Sequence, residues 1–134
     1  MDALPDFSLC EDLWFRDGNI VLVCDATGFR VNESVLSIHS AVFRDMLSVG
    51  TRAGTDAYEM CPIIRLSDDP LHMRLLLRMM YNRGYAHSFF DPSPAFILRG
   101  LLRVSSKYLV SHIRSEIISH LLVLFPTSII EYRS

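Results

Sequence analysis

The stretch GFRVNESVLSIHSAVFRDML, residues 28–47, decides the fold of this chain. Residues 29–31 can form a strand, and from residue 34 to residue 47 the apolar positions recur at helical spacing. The face of that helical segment consists of Leu36, Ser40, Phe43 and Leu47. Ser40 is its polar member, and a serine that ends one short helix and caps a second accepts a free backbone N–H. We therefore predict a strand followed by two helices in a hairpin.

The sequence before this stretch predicts a β-hairpin. Residues 17–19, Asp-Gly-Asn, are a turn signal, and the apolar run Ile20–Cys24 follows them. A continuous, β-branched run of this length is typical of a strand that is covered on both faces. One of those faces carries Ile20, Leu22 and Cys24. Residues 25–28 then supply turn chemistry, so this strand should pair with residues 29–31.

The sequence after this stretch predicts a third strand and a long helix. Residues Cys61–Leu66 look like a strand, and Pro62 places it at an edge or close to its own beginning, because proline cannot donate to a ladder. Asp69 before Pro70 is a strong helix start, so a helix should run from residue 71 to about residue 83. Its narrow polar strip consists of Arg74, Arg78 and Asn82. Such a strip could bind an anionic partner, but we favour the interpretation that it faces solvent.

Two more helices complete the predicted fold. Apolar residues recur at helical spacing over residues 95–106 and again over residues 108–124, where Pro126 ends the pattern. The polar stretch of residues 50–59 reads as an exposed loop. The sequence therefore predicts an α+β fold with a small three-stranded sheet flanked by a cluster of about five or six helices.

The composition limits the class of protein. The chain has 134 residues, which suits one domain, and half of them are hydrophobic against 21% charged, which excludes a disordered chain. A net charge of −2 gives no electrostatic reason to expect nucleic acid as a partner. The apolar runs are far shorter than the roughly 20 residues that span a bilayer, so we expect no membrane segment.

The cysteines and the N-terminus predict a cytoplasmic or nuclear location. Cys10, Cys24 and Cys61 are odd in number and widely spaced, which fits buried reduced thiols better than disulfides or a zinc site. The first residues lack the basic start and the apolar stretch of a secretory signal.

Motifs for catalysis, cofactors and metals are missing from the sequence. The six glycines never occur as G-x-G, and there is no G-x-S-x-G. His112 and His120 lie eight residues apart in one predicted helix, whereas adjacent helical metal ligands sit about three or four residues apart. Asp68 and Asp69 could imitate an acid–base pair, but capping of the helix at Pro70 accounts for them. We expect no catalytic, cofactor or metal site, and no enzyme.

The order of these elements resembles the BTB (POZ) family. The run of residues 28–47 is similar to that family's strand phenylalanine, Val-Leu helix and Ser-x-x-Phe helix. The strand ending at Leu66, the following Asp68 and a helix closing on Met80 and Tyr81 also match the family's spacing. The resemblance covers residues 12–125, which leaves residues 1–11 as an N-terminal extension and residues 126–134 as a tail. Residues 17–19 and 29–32 look most like the large fungal branch of the family.

The resemblance implies a protein-interaction module without a catalytic site. Members of the family form homodimers or heterodimers, and many recruit cullin-type ubiquitin ligases or transcriptional corepressors. Asn19 stands where dimeric repressor members have an acidic residue, and Asn32 and Glu33 replace the usual histidine and basic residue. The charged pocket of those repressors is therefore missing. Ligase adaptors often have a hydrophobic-x-Glu element where this chain has Thr51, Arg52 and Ala53, which weakens the case for ligase recruitment.

We predict homo- or hetero-oligomerisation, with this chain itself or another BTB protein as the partner. The alternative is a substrate adaptor that binds a cullin scaffold. The candidate interface residues are Trp14, Phe15, Glu33, Ile38, Met46 and Tyr58. Two interpretations of Trp14 and Phe15 remain open, since such aromatic residues can anchor a partner chain or cover the base of the hairpin.

Overall fold

A computed structural model describes residues 5–48, 56–82 and 95–124 of the chain. The strands in these ranges are β1 (Ser8–Trp14), β2 (Ile20–Cys24), β3 (Thr27–Val31), β4 (Ala57–Tyr58) and β5 (Cys61–Leu66). The helices are α1 (Glu33–His39), α2 (Ala41–Ser48), α3 (Pro70–Tyr81), α4 (Ala95–Lys107) and α5 (Ser111–Leu124). The combination of one sheet with a cluster of helices confirms the predicted α+β class.

Strand β2 lies at the centre of the sheet, whose order is β1-β3-β2-β5-β4. It pairs antiparallel with β3, as the hairpin prediction requires, and parallel with β5. All five of its residues are buried, which confirms a strand covered on both faces. Its alternating residues separate as predicted: Ile20, Leu22 and Cys24 join the main core, while Val21 and Val23 join a smaller cluster on the opposite face.

The sheet has two more strands than the three expected from the sequence. Strand β1 runs parallel to β3 with an irregular register between Leu9 and Trp14, and β4 is only two residues long. Most of β1 is exposed or half-buried, and Glu11 and Asp12 interrupt any apolar alternation. Because strand prediction relies on that alternation, β1 leaves no clear signal in the sequence.

Pro62 does not make β5 an edge strand. Strand β5 lies between β2 and β4, and Pro62 stands opposite Ala57 of β4. Pro62 is the second residue of β5, so the other interpretation, a position close to the beginning of the strand, is the one that the structure supports.

Ser40 separates α1 from α2, as the sequence predicts. Its backbone is extended, at φ −135° and ψ 115°, and its Oγ accepts a hydrogen bond from the backbone N–H of Phe43 at 3.0 Å. This is the geometry of an N-cap. The same hydroxyl donates to the carbonyl oxygen of Tyr108 at 2.5 Å, so a residue that is fully buried has both its hydrogen-bonding roles satisfied.

Helix α3 begins as the sequence predicts. Asp69 is its N-cap, with the backbone N–H of Leu71 donating to Asp69 Oδ1 at 2.8 Å, and Pro70 occupies the first turn. The helix ends at Tyr81, two residues before the expected end. Its buried residues are Met73, Leu75, Leu76, Leu77, Met79 and Met80, which makes α3 a largely enclosed helix of the main core.

The main core lies between one face of the sheet and the helices. At its centre the rings of Phe43 and Tyr108 stack with centroids 4.5 Å apart and planes 4° apart. This contact ties α2 to the turn that follows α4. Among the described residues, no helix is both long and apolar enough to cross a membrane.

Candidate functional site

Two exposed apolar side chains stand out next to the α1–α2 hairpin. Ile38 of α1 has 79% of its surface exposed, and Leu109, in the turn between α4 and α5, has 55% exposed. Isolated exposed apolar residues are common, but two large ones at one junction are candidates for partner contacts.

Leu109 also has an unfavourable backbone conformation. Its φ is 53°, in the left-handed region that glycine occupies far more readily than leucine. The turn is a Schellman motif, in which the N–H of Val110 donates to the Ser105 carbonyl at 2.8 Å and the N–H of Leu109 donates to the Ser106 carbonyl at 3.2 Å. A leucine at the position that glycine favours, with its side chain largely in solvent, does not benefit the fold in an obvious way.

Ile38 and Leu109 border the same junction between helices. His39, which follows Ile38, has its ring 4.9 Å from the ring of His112 in the first turn of α5. Ser40 follows His39 in the chain and Tyr108 precedes Leu109, and the Ser40 hydroxyl donates to the Tyr108 carbonyl oxygen. We call the surface formed by Ile38, His39, Leu109 and His112 the junction patch.

Trp14 and Tyr58 lie on the sheet face that is opposite the main core. Their rings contact edge to face with centroids 5.8 Å apart, and Phe7 contacts Tyr58 in the same manner at 5.6 Å. Both side chains are half-buried and pack against a small apolar cluster formed by Phe7, Val21, Val23, Cys61 and Ile63. Trp14 therefore covers part of this sheet face, and its role as a partner contact stays a prediction.

Phe15 and Met46 also pack against other residues of the same domain. Phe15 stacks on the ring of Tyr81, with centroids 4.4 Å apart and planes 22° apart. Met46 is half-buried and packs against the main core. Of the apolar interface candidates, Ile38 alone is largely exposed, and the set does not form one continuous surface in the described part of the chain.

Asn19, Asn32 and Glu33, which stand at the expected position of the repressors' charged pocket, each form a hydrogen bond within the domain. The backbone N–H of Glu33 donates to Asn19 Oδ1 at 2.8 Å. The backbone N–H of Asn32 donates to the hydroxyl oxygen of Tyr81 at 2.9 Å, and this hydroxyl donates to Asn32 Oδ1 at 2.8 Å. These contacts fix the end of β3 against α3. Thr51, Arg52 and Ala53, which stand at the expected position of the ligase-adaptor element, lie outside the described residues.

The polar strip of α3 binds a carboxylate that the sequence did not suggest. Arg74 Nη2 lies 2.8 Å from Asp12 Oδ2, and Arg78 contacts the same oxygen. Burial acts to raise the pKa of Asp12, but hydrogen bonds from Cys10 and Arg74 and the charges of both arginines lower that pKa to about 2. Two of the three polar residues of the strip therefore bind the edge strand β1 of the same chain.

Asp68 and Asp69 have separate structural roles. Asp69 caps α3, whereas the buried Asp68 accepts hydrogen bonds from Tyr108 Oη and from Lys107 Nζ, the latter at 2.9 Å. Burial, and then the hydrogen bond with Asp68, raise the pKa of the Tyr108 hydroxyl. Capping was thus the correct interpretation for Asp69 but not for Asp68.

The cysteines of the described residues are free thiols. Cys24 and Cys61 are buried, and Cys10 is half-buried. Burial is the main cause that raises the pKa of Cys24 to about 12. Within residues 5–48, 56–82 and 95–124, no three histidine, cysteine, aspartate or glutamate side chains gather in a group that could hold a metal ion.

The sheet, the α1–α2 hairpin and the helices around them define a small α+β domain. The sequence profile of the BTB/POZ domain matches residues 15–123, which is most of the chain. The protein belongs to the BTB/POZ domain family, whose domain is a protein–protein interaction module.

Solved structures share this fold at low sequence identity. The BTB domain of zebrafish PATZ1 is 16% identical, with a TM-score of 0.56, over 81% of this chain and 76% of that one. The BTB (Tramtrack and Bric a brac) domain of human gigaxonin is 13% identical, with a TM-score of 0.59, over 81% of both chains. No curated protein sequence matches the chain. The comparisons lend no support to a closer likeness to the fungal branch.

Proposed function

We propose that this BTB/POZ domain forms homo- or hetero-oligomers with BTB/POZ domains, and that the junction patch lies at the centre of the contact. The observation that carries this proposal is the exposure of Ile38, on a helix whose Leu36 is fully buried. Burying an isoleucine side chain contributes roughly 1.5–3 kcal/mol, so the patch can supply affinity when a partner covers it.

The conformation of Leu109 supports the same conclusion. Residues held in a disfavoured conformation are found preferentially where they serve binding or catalysis. Glycine at position 109 would remove the strain but would also remove the apolar side chain. The leucine is therefore explained if it contacts a partner.

The junction patch is too small to be a whole interface. Stable interfaces bury about 800 Å² on each partner, with a few central residues that carry most of the binding free energy. We therefore expect the exposed part of Met46 and the rest of the α1–α2 hairpin to form the rim.

Sedimentation velocity of the purified domain tests the homo-oligomer. Ile38→Glu should raise the dissociation constant by at least roughly tenfold, because the interface would have to bury a charge. Met60→Glu is the matched control, since Met60 is 97% exposed in the turn between β4 and β5. Equal effects of the two substitutions would contradict the proposed location.

A hetero-oligomer is tested by pull-down against other purified BTB/POZ domains with the same two variants. A wild-type domain that neither self-associates at high concentration nor captures another BTB/POZ domain would contradict the proposal altogether.

The second candidate function is a substrate adaptor for a cullin-type ubiquitin ligase. Its support is the resemblance to the family. The sequence weakens this candidate, because Thr51, Arg52 and Ala53 stand where ligase adaptors often have a hydrophobic-x-Glu element. A pull-down with a purified cullin scaffold tests it, and capture that survives Ile38→Glu would assign the two activities to separate surfaces.

We further propose that the module has no catalytic activity of its own and works in the cytoplasm or the nucleus. Support comes from the family, which is an interaction module, and from three thiols that form no disulfide with one another. Microscopy of a tagged full chain tests the location, and secretion would contradict it.

A further inference from the structure

Helix α4 carries a row of cations along its exposed side. Arg99, Arg103 and Lys107 recur at every fourth residue, so they share one face of the helix, and all three are exposed. Like charges at this spacing repel each other and weaken the helix. The repulsion between these three cations therefore does not benefit the isolated domain.

Two of these cations have no carboxylate partner in the described part of the chain. Lys107 binds Asp68, but neither Arg99 nor Arg103 forms an ion pair with a residue of the described ranges. Most of the other arginines in the described ranges do pair with carboxylates. Examples are Arg30 with Glu59, Arg65 with Asp6, and Arg74 and Arg78 with Asp12. Arg99 and Arg103 are not left unpaired within these ranges by a shortage of acidic residues, because the chain has 15 aspartates and glutamates against 13 lysines and arginines.

Arg114 of α5 widens the positive surface. Its Nε donates to Ser106 Oγ at 2.9 Å, and Ser106 lies one turn after Arg103 on α4. Arg114 likewise has no carboxylate partner among residues 5–48, 56–82 and 95–124. A guanidinium is planar and binds carboxylates through two parallel hydrogen bonds, so three arginines can each receive one carboxylate.

An apolar side chain stands at one end of this row. Phe96 lies one turn before Arg99 on α4, and 66% of its surface is exposed. Exposed aromatic residues beside arginines are the combination found at the centre of protein interfaces. We call the surface formed by Phe96, Arg99, Arg103 and Arg114 the α4 ridge.

We propose that the α4 ridge docks an acidic polypeptide segment of a partner, with carboxylates spaced by one helical turn and an apolar residue against Phe96. This goes beyond oligomerisation through the junction patch, because it names a second partner with a different chemistry. Nucleic acid fits less well, since a domain with net charge −2 and a few unpaired cations neutralises few phosphates.

Fluorescence anisotropy with a labelled synthetic peptide tests the proposal. The peptide is a helix of about four turns with glutamate at every fourth position and one leucine placed a turn before the first glutamate. It should bind the wild-type domain, and Arg103→Glu should weaken binding roughly tenfold, with the double variant Arg99→Glu/Arg103→Glu weaker still. The same peptide with glutamine in place of glutamate should not bind.

Arg16→Glu is the matched control for Arg103→Glu. Arg16 is also exposed and also has no ion-pair partner among the described residues, so the change in net charge is identical. It should leave peptide binding unchanged within about twofold. Because all these side chains are exposed, none of the substitutions should lower the midpoint of thermal unfolding, and Arg103→Glu should raise it slightly, since it replaces two repulsive pairs on α4 with attractive ones. Arg103→Gln provides a milder variant if the charge reversal disturbs folding.

Three results would overturn the proposal. They are failure of the wild type to bind the glutamate peptide, equal weakening by Arg16→Glu and Arg103→Glu, and tighter binding of a DNA duplex than of the peptide at the same arginines. Since the ridge and the junction patch share no residue, Ile38→Glu should leave the peptide affinity unchanged.

Discussion

The hydroxyl of Ser40 donates to the carbonyl oxygen of Tyr108 at 2.5 Å while it accepts from the backbone N–H of Phe43 at 3.0 Å. One buried side chain therefore begins α2 and also holds the turn between α4 and α5 against the α1–α2 hairpin. The junction patch depends on this contact, because Ile38 and Leu109 lie on either side of it.

Ser40→Ala should destabilise the domain by about 2–3 kcal/mol. The loss combines the N-cap contribution with the cost of leaving the Tyr108 carbonyl unpaired in the core. Urea unfolding measures it. Ser105→Ala is the control, since Ser105 is also buried but, among the described residues, its hydroxyl donates only to the Leu102 carbonyl of its own helix. Equal losses would show that the link between Ser40 and Tyr108 adds nothing.

Leu109→Gly should raise stability and weaken self-association. Relief of the left-handed strain should exceed the entropy that glycine adds to the unfolded chain, for a net gain of about 0.5–1 kcal/mol. The expected dissociation constant rises by roughly tenfold, because a central apolar contact is lost. Thermal unfolding and sedimentation velocity measure the two effects.

Met60→Gly provides the comparison for Leu109→Gly. Met60 also has a positive φ, 64°, and is exposed, but it lies away from the junction patch. It should gain similar stability with no change in self-association. A loss of association in both variants would argue against a specific role for Leu109.

Asp12→Asn should destabilise the domain at neutral pH but not at very low pH. The pKa of Asp12 in the folded domain is about 2, below the usual 3.8, so its contribution is complete above pH 3.8 and is lost as the pH falls through about 2. The side chain is about one-third exposed, so solvent screening should keep the difference to about 1 kcal/mol or less. Urea unfolding at a series of pH values measures the difference in the free energy of unfolding between the variant and the wild type. Asp45→Asn, at an exposed site with a longer ion pair, should show almost no difference.

Tyr108→Phe should destabilise the domain by about 1–3 kcal/mol, because the buried Asp68 carboxylate would lose the hydroxyl that donates to it. The stacking on Phe43 would remain, so the effect isolates the hydroxyl. Chemical unfolding measures it. Tyr58→Phe, where the lost hydroxyl has no hydrogen bond within the described residues, should cost far less, and a comparable loss there would count against the role given to Asp68.

The features predicted from the sequence are those that depend on neighbours along the chain. Ser40 and Asp69 were identified as caps because capping needs only the next few residues. The burial of Ile20–Cys24 follows from its own composition. Strand β1 and the contact between Arg74 and Asp12 were missed, because the partners are far apart in sequence, by 62 residues for the latter pair. Local patterns carry no information on such pairings.

The residues of the candidate surfaces also fall into two groups, those that the sequence analysis predicted and those that it did not. Ile38 was predicted as an interface residue because it falls toward the edge of the apolar stripe of the α1–α2 hairpin. The structure shows that it is exposed, and its contact with a partner stays a prediction. Leu109 and the α4 ridge were not identified. The end of α4 without a glycine or asparagine was a signal for Leu109, and the spacing of Arg99, Arg103 and Lys107 was a signal for the ridge. That Arg99 and Arg103 pair with no carboxylate of the described ranges depends on the arrangement of the whole fold.

Trp14 is the only tryptophan of the chain, and it contacts Tyr58 on the sheet face opposite the main core. Its fluorescence emission therefore monitors β1 and β4, while far-ultraviolet circular dichroism monitors mainly the helices. If the fluorescence changes at a lower denaturant concentration than the circular dichroism, the sheet around Trp14 comes apart before the helices unfold. The domain thus contains its own optical reporter for the order in which its two layers come apart.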